Sequence, residues 1–432
     1  MAALAVTTAG RSDRRGEASP LNGQSGVRLG PRIRSELAGL LGSVQVPLTP
    51  SLTPRLLFRS PRRAVQPPFP LSHRDVLFTF SGSAAIYQAA EVLGLATGDR
   101  ILFPAYNCGH DLEPLLRRGL DVQYYVVDRK LTIDLDGLAR MLRRGARAVL
   151  VTHYFGFPQP LAEIRRVCDR HGAALIEDCA HALFSRDPSG DVGKTGDVSV
   201  FSPRKTLPLP NGGALVVNNP RLQTRPVLRA PPVLATANKM LELWRKSLTV
   251  RRSSLPSVAG LRLLLVALAP VILARRLTRR LPLWNPDTWC NPDDASVAYG
   301  TDTLTWAMAS IGHRIIDRSD ANSVISRRRL NYERLVSCLS GLEHVWPVYD
   351  DLPEGTCPLY LPVFCRNRPE LRRALEREGF IAANWWGDFH PAVPWEAHPE
   401  AVHLKKTVLA LPIHQDLDAR QVAAMGAALR RA

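Results

Sequence analysis

One lysine, one carboxylate, one histidine and two stretches of small residues could do chemistry in this chain. Lys205 stands in Phe201-Ser202-Pro203-Arg204-Lys205-Thr206-Leu207, shortly before Asn211-Gly212-Gly213. Asp178 and His181 follow the apolar run Ala173-Ala174-Leu175-Ile176. Ser81-Gly82-Ser83-Ala84-Ala85 opens a helix-like stretch. An acid at a strand end, a lysine on a following strand and a small-residue turn before a helix are the parts of a pyridoxal phosphate site. The acid holds the pyridinium nitrogen protonated, the lysine forms the Schiff base, and the helix start holds the phosphate.

Each residue has a plainer reading. Asp178 alone would be a surface acid or helix cap just past a strand. Buried, it needs a partner such as a ring N–H. His181, three residues on, is placed to hydrogen-bond the cofactor's phenolic oxygen; lone histidines are more often structural. Lys205 must deprotonate near neutral pH to serve as Schiff-base amine and proton shuttle. The phosphate candidates are Gly82, Ser83 and Ala84 at the helix start, with Ser202 after the strand. For Ser83 the alternative is an ordinary N-cap. Tyr106 in Pro104-Ala105-Tyr106-Asn107 is placed to stack on the cofactor ring or to pack in the core.

These residues need elements that bring them together. From Val76 onward short apolar runs alternate with amphipathic stretches. Strands are expected at 76–80, 100–103, 122–127, 146–152, 173–176, 198–201 and 214–217, with helices at 84–95, 111–118, 135–143 and 161–171. The pattern predicts an α/β fold: a mostly parallel sheet covered by helices on both faces, with ligands at the carboxyl ends of its strands. The organisation expected is a flexible Pro/Arg-rich arm over 1–70, holding one short helix near 33–41, and a large cofactor-binding domain over 71–224. A basic, apolar insertion then spans 225–298, a long connecting helix with room for one break 299–343, and a smaller C-terminal α/β domain 344–432.

Composition narrows the class. The 432 residues are 45% hydrophobic and 22% charged, as in a globular protein with a sizeable core. The net charge of +17 points to an acidic partner such as a phosphorylated substrate or an anionic leaflet, or to a solvated basic surface. No nucleic-acid partner is expected. Seven cysteines, odd in number and without a C-x-x-C pair, argue against a disulfide framework and a zinc site; no metal is expected. The N-terminus lacks a signal-peptide core, so the expected setting is the cytoplasm. Gly190-Asp191-Val192-Gly193-Lys194-Thr195 ends in GKT, but Pro188 stands where a phosphate loop needs its first glycine. Between Arg245 and Arg280 lie nine basic and no acidic residues around the apolar stretch 263–274. That stretch is too short to span a bilayer, which needs about 20 residues. It reads either as a buried or subunit-contact helix or as a peripheral contact with the inner membrane surface.

Taken together, the motifs resemble the DegT/DnrJ/StrS family of pyridoxal-phosphate-dependent sugar aminotransferases. The blocks are Ser81–Ala85, Gly98-Asp99-Arg100-Ile101, His153-Tyr154-Phe155-Gly156-Phe157-Pro158, Ile176–Ala182, Gly196–Ser202 with Lys205, Gly212-Gly213 and Leu411-Pro412-Ile413-His414. The resemblance implies the aspartate aminotransferase fold, type I, and a homodimer. It implies amino transfer, usually from glutamate, to a keto group of a nucleotide-linked sugar. It assigns Asp178 to the pyridine nitrogen, His181 to the phenolic oxygen, Lys205 to the covalent link, and Ser83 and Ser202 to the phosphate. The three-residue spacing of Ser202 and Lys205, the insertion and the long arm depart from the common pattern. Sugar dehydration on the same scaffold, or a non-catalytic, membrane-docked or regulatory protein, are the alternatives. Dehydrating members typically carry histidine in place of the lysine, so Lys205 favours transfer.

Overall fold

The computed structural model describes residues 46–58, 67–73, 75–250 and 301–432. The helix expected near 33–41 and the apolar stretch 263–274 lie outside these residues. A seven-stranded sheet forms the large domain. Its strands are β1 (Val76–Thr79), β2 (Arg100–Pro104), β3 (Asp121–Tyr125), β4 (Ala148–Thr152), β5 (Ala174–Asp178), β8 (Val198–Phe201) and β9 (Gly213–Val217). A two-stranded ribbon, β6 (Arg186–Asp187) and β7 (Gly190–Asp191), lies between β5 and β8 in sequence. The sheet order is β1-β9-β8-β5-β4-β2-β3. β9 alone runs against its neighbours, and the rest of the sheet is parallel.

Both faces are covered, so the central strands have no polar side. All five residues of β4 and all four of β8 are buried. Helix Gly82–Val92 covers one face with Ala85, Ile86, Ala89 and Val92. Helix Leu161–His171 packs Ile164, Val167 and Cys168 with Val149 and Leu175 on the other. A helix ending in Gly172 at φ 65 uses the left-handed cap that glycine adopts most readily.

The C-terminal residues build a second, antiparallel sheet from β10 (Val345–Pro347), β11 (Leu361–Cys365), β12 (Ala383–Asn384) and β13 (Val408–Leu411), in the order β10-β11-β13-β12. Helix Arg368–Arg377 packs on it, and helix Ala419–Arg431 packs on that helix and on helix Ala321–Leu339. The long connecting helix expected over 299–343, with room for one break, is broken once between its two helices. A short turn at Thr301–Thr305 precedes helix Ser310–Arg318, and a second helix runs from Ala321 to Leu339. Asp320 causes the break: its carboxylate accepts from the Ser323 amide at 3.0 Å and caps a fresh helix. Helix Val233–Val250 falls in the stretch read as an insertion. No described helix is long and apolar enough to cross a membrane.

One glycine sets how closely the strand ends approach. A Cβ on Gly213 would collide with the Ser81 carbonyl and the Thr79 hydroxyl. Gly213→Ala is therefore expected to force β9 from β1 and to destabilise by about 1–3 kcal/mol. Thermal denaturation checks this; an unchanged melting temperature contradicts it.

Candidate active site

Strand register delivers the predicted residues to one rim. Asp178 pairs with Thr152 on one side and Val200 on the other. Phe201 pairs with Ala214, and Thr79 with Gly213. The chain leaving β1 (Ser81, Gly82), the last residue of β5 (Asp178) and the chain leaving β8 (Ser202 to Lys205) thus share the carboxyl edge of the parallel strands.

Asp178 is 3% exposed. The Thr152 hydroxyl donates to its Oδ2 at 3.4 Å, and the Ala180 amide donates to Oδ1 at 2.9 Å. Burial pushes its pKa from 3.8 up to about 6; the charge of Lys205 pulls the other way, and Asp111 adds to the rise. A buried carboxylate in this state favours a cationic or N–H partner.

His181 is buried, and its Nδ1 accepts from the Phe155 amide at 3.3 Å. That bond assigns the ring proton to Nε2. Burial holds the imidazole pKa well below its usual value, and the Lys205 charge lowers it further. His181 is thus a neutral donor. Its ring lies 5.2 Å from both Trp385 and Trp386.

Lys205 is in a 3-10 turn, Pro203–Lys205, that follows the strand expected and observed over 198–201. Pro203, lacking an amide proton, ends β8 and turns the chain back to the rim. The turn is held from the small-domain side. The next carbonyl, that of Thr206, accepts from Arg328 at 3.3 Å and from the Gln415 side chain at 3.0 Å. Arg328 is 1% exposed and also donates to the Leu359 carbonyl at 2.8 Å.

The phosphate candidates separate. Ser202 Oγ is buried without a hydrogen-bond partner. A Cβ on Gly82 would stand 3.4 Å from the Ser202 Cβ, so the helix start lies directly against this hydroxyl. Ser81, and not Ser83, is the N-cap: its hydroxyl accepts from the Ala84 amide at 3.1 Å. The Ala84 amide is thereby used. Ser83 donates its hydroxyl to the His110 carbonyl at 2.8 Å. The first-turn amides of Gly82 and Ser83 point outward from the helix. With the Ser202 hydroxyl they form a donor set suited to a dianion.

Tyr106 is fully buried. Its ring neighbours are Trp386 at 5.0 Å and Tyr154 at 5.6 Å, and its hydroxyl donates to the Trp385 carbonyl at 3.2 Å. The tryptophans were not singled out in the sequence; the adjacent pair Trp385-Trp386 between Asn384 and Gly387 was the available signal.

Behind the rim, Glu177 organises the loop after β7. Its carboxylate accepts from the amides of Gly193 at 2.9 Å and Thr195 at 2.7 Å, and from Gly196. The GKT segment therefore cradles a carboxylate of its own chain. His153 Nε2 lies 3.2 Å from Glu177, and Nδ1 accepts from Gln159. His153, Glu177 and Cys179 place ligand-type atoms within 4.8 Å of one another. These hydrogen bonds occupy the imidazole and the carboxylate, and burial keeps the Cys179 thiol protonated, its pKa well above the usual value. The six described cysteines are free thiols.

Residues 71–235 match the DegT/DnrJ/EryC1/StrS aminotransferase family. GDP-perosamine synthase of Vibrio cholerae is 30% identical over 142 residues, 32% of this chain and 39% of that protein. The dTDP-4-dehydro-2,3,6-trideoxy-D-glucose 4-aminotransferase of Saccharopolyspora spinosa is 32% identical over 154 residues, 35% of this chain and 40% of that protein. The matches to these curated relatives thus span about two fifths of their length. Similarity of fold extends further. A sugar aminotransferase from Micromonospora echinospora superposes with a TM-score of 0.55 at 20% identity, covering 83% of this chain and 87% of its own. The Helicobacter pylori aminotransferase involved in pseudoaminic acid biosynthesis gives 0.56 at 15% identity, covering 82% and 86%. The fold is like that of these solved sugar aminotransferases, and residues 71–235 are similar to the DegT/DnrJ/EryC1/StrS aminotransferase family.

Proposed function

We propose that the protein is a pyridoxal-phosphate-dependent aminotransferase that moves an amino group from glutamate to a keto sugar, most simply a nucleotide-linked one. One observation carries the cofactor reading: a buried, unbonded Ser202 hydroxyl against the Gly82 helix start, on the same sheet rim as buried Asp178. The residues fit the group. Gly82, Ser83 and Ser202 would hold its phosphate, Asp178 its ring nitrogen, His181 Nε2 its phenolic oxygen, and Lys205 its aldehyde carbon. When bound, pyridoxal phosphate supplies an electron sink for the carbon bearing the transferred amine.

The chain's own groups do the rest. Asp178 keeps a proton on the ring nitrogen, because a buried carboxylate is stabilised by that N–H. His181, neutral and oriented by the Phe155 amide, donates without adding charge. The Lys205 amine takes the proton from the amino donor's α-carbon and returns one to the acceptor carbon. Arg328 keeps the turn carrying that amine fixed through the Thr206 carbonyl.

The proposal includes a second copy of the chain, cytoplasmic placement, and contact of the basic segment 245–280 with an anionic leaflet. Exposed Val227 and Val233, 90% and 85% accessible, are side chains that a subunit or membrane contact would cover. Light scattering and vesicle sedimentation at two salt concentrations test these points; a monomer that sediments equally with neutral and anionic vesicles contradicts them.

The experiment for the activity is a panel of keto-sugar nucleotides with glutamate, read as 2-oxoglutarate release. Release that requires both a keto sugar and pyridoxal phosphate supports the reading. No release from any member by cofactor-loaded protein counts against it.

A further inference from the structure

We propose that Lys405 is a positioning residue: its ammonium pins the Trp385-Trp386 corner of the small domain to the Asn107 turn of the large one, fixing an aromatic wall against which the keto sugar is held. The inference rests on the aminotransferase reading for its substrate, and on the geometry alone for the pin.

Lys405 lies in helix Pro399–Thr407 and is 0% exposed. Its Nζ donates to the carbonyls of Asn107 at 2.6 Å, Trp386 at 2.9 Å and Asp388 at 2.6 Å. An ammonium has three N–H donors, so these carbonyls use all of them. The Trp395 ring sits 4.7 Å from the charge and the Phe389 ring 5.7 Å. Both screen it from water and contribute cation–π attraction.

A buried ammonium is a costly way to fill space. Burial lowers the Lys405 pKa to about 8, with Cys108, Asp111 and Asp388 opposing the shift. A methionine would fit a similar volume without that desolvation, but would leave three carbonyls unbonded. The lysine therefore specifies an arrangement as well as occupying a gap.

What it specifies is the relation of Trp386 to Tyr106. Trp386 has φ 54, a left-handed backbone that a bulky aromatic residue adopts only when its surroundings hold it. Lys405 bonds the carbonyl of that residue and of Asp388 beyond it. On the other side it bonds Asn107, the residue after Tyr106. The Trp386 ring then lies 5.0 Å from Tyr106 and 5.2 Å from His181. Asp178, His181, Ser202 and Lys205 belong to the large-domain rim, and the three Lys405 bonds go to none of them.

The test compares wild-type holoenzyme with Lys405→Met and Trp386→Ala, following cofactor absorbance, the glutamate and keto-sugar half-reactions, and near-UV circular dichroism. Lys405→Met is expected to retain the absorbance and a glutamate half-reaction within about 3-fold of wild type, while in both variants KM for the keto sugar rises about 10-fold or more. Lys405→Met should also change the tryptophan dichroism. A wild-type keto-sugar KM, or equal losses in both half-reactions, overturns the proposal. If Lys405→Met does not fold, Trp386→Ala decides by the same KM criterion. If wild type aminates no keto sugar, the functional reading fails, and unchanged tryptophan dichroism in Lys405→Met would separately refute the pin.

Discussion

Lys205→Ala is expected to lower amino transfer by at least about 10³-fold, because one amine serves as both covalent anchor and proton carrier. The protein should also lose the absorbance of covalently held cofactor while still binding pyridoxal phosphate through the rim. A secondary effect follows from electrostatics. The Lys205 charge opposes the burial that raises the Asp178 pKa, and it adds to the lowering at His181. Without it Asp178 should titrate higher still, and the His181 imidazole should gain a proton more easily. Absorbance spectra and single-turnover assays with glutamate check the main claim. Near-wild-type turnover would remove Lys205 from the mechanism.

The second large effect runs in opposite directions for stability and activity. Asp178→Asn preserves shape: the amide oxygen can accept from Ala180, and the Thr152 hydroxyl can accept from the new NH₂. The folded pKa of about 6 lies above the ordinary 3.8. A carboxyl with a raised folded pKa contributes its stability below the unfolded pKa and loses it as pH climbs through the folded one. The window is therefore about pH 4 to 6. Above it, the folded protein carries a buried charge at a cost of about 3 kcal/mol. Cofactor-stripped Asp178→Asn should accordingly melt a few degrees above wild type at pH 8, and with it at pH 4. Its amino transfer should fall by about 10²-fold or more, since the ring nitrogen loses the charge that keeps it protonated. Melting curves at the two pH values and steady-state rates check both halves. Lower stability than wild type at pH 8 would contradict the first half, and unchanged turnover the second.

The large domain was legible because its strands are short, apolar and separated by amphipathic helices. The expected helix over 161–171 and the strand over 198–201 fall at the observed boundaries. Asp178 and Lys205 announced themselves by residue type next to apolar runs. The parts that were not legible depend on tertiary contact. Arg328 stands between Arg327 and Arg329 on one helix, and nothing in that run tells which guanidinium turns inward to the Thr206 carbonyl. Lys405 sits beside Lys406 in the same way, yet only Lys405 is fully buried. The Trp385-Trp386 pair reaches His181 from 204 residues downstream, a closure that local periodicity cannot encode. Ser81 and Ser83 differ in role by which hydroxyl meets the Ala84 amide, a matter of backbone angle at the strand exit. Asp320 shows the reverse case. It is a good N-cap residue in plain view, and it marks where the one break allowed in that long helix falls.

The covalent link at position 205 is the claim on which the account turns. The direct test is borohydride reduction of pyridoxal-phosphate-saturated protein, followed by digestion and mass mapping. The account predicts a single phosphopyridoxyl mark on the peptide containing Lys205, and none on the buried Lys405. A mark at Lys405 or another lysine, or no mark in saturated protein, would contradict it.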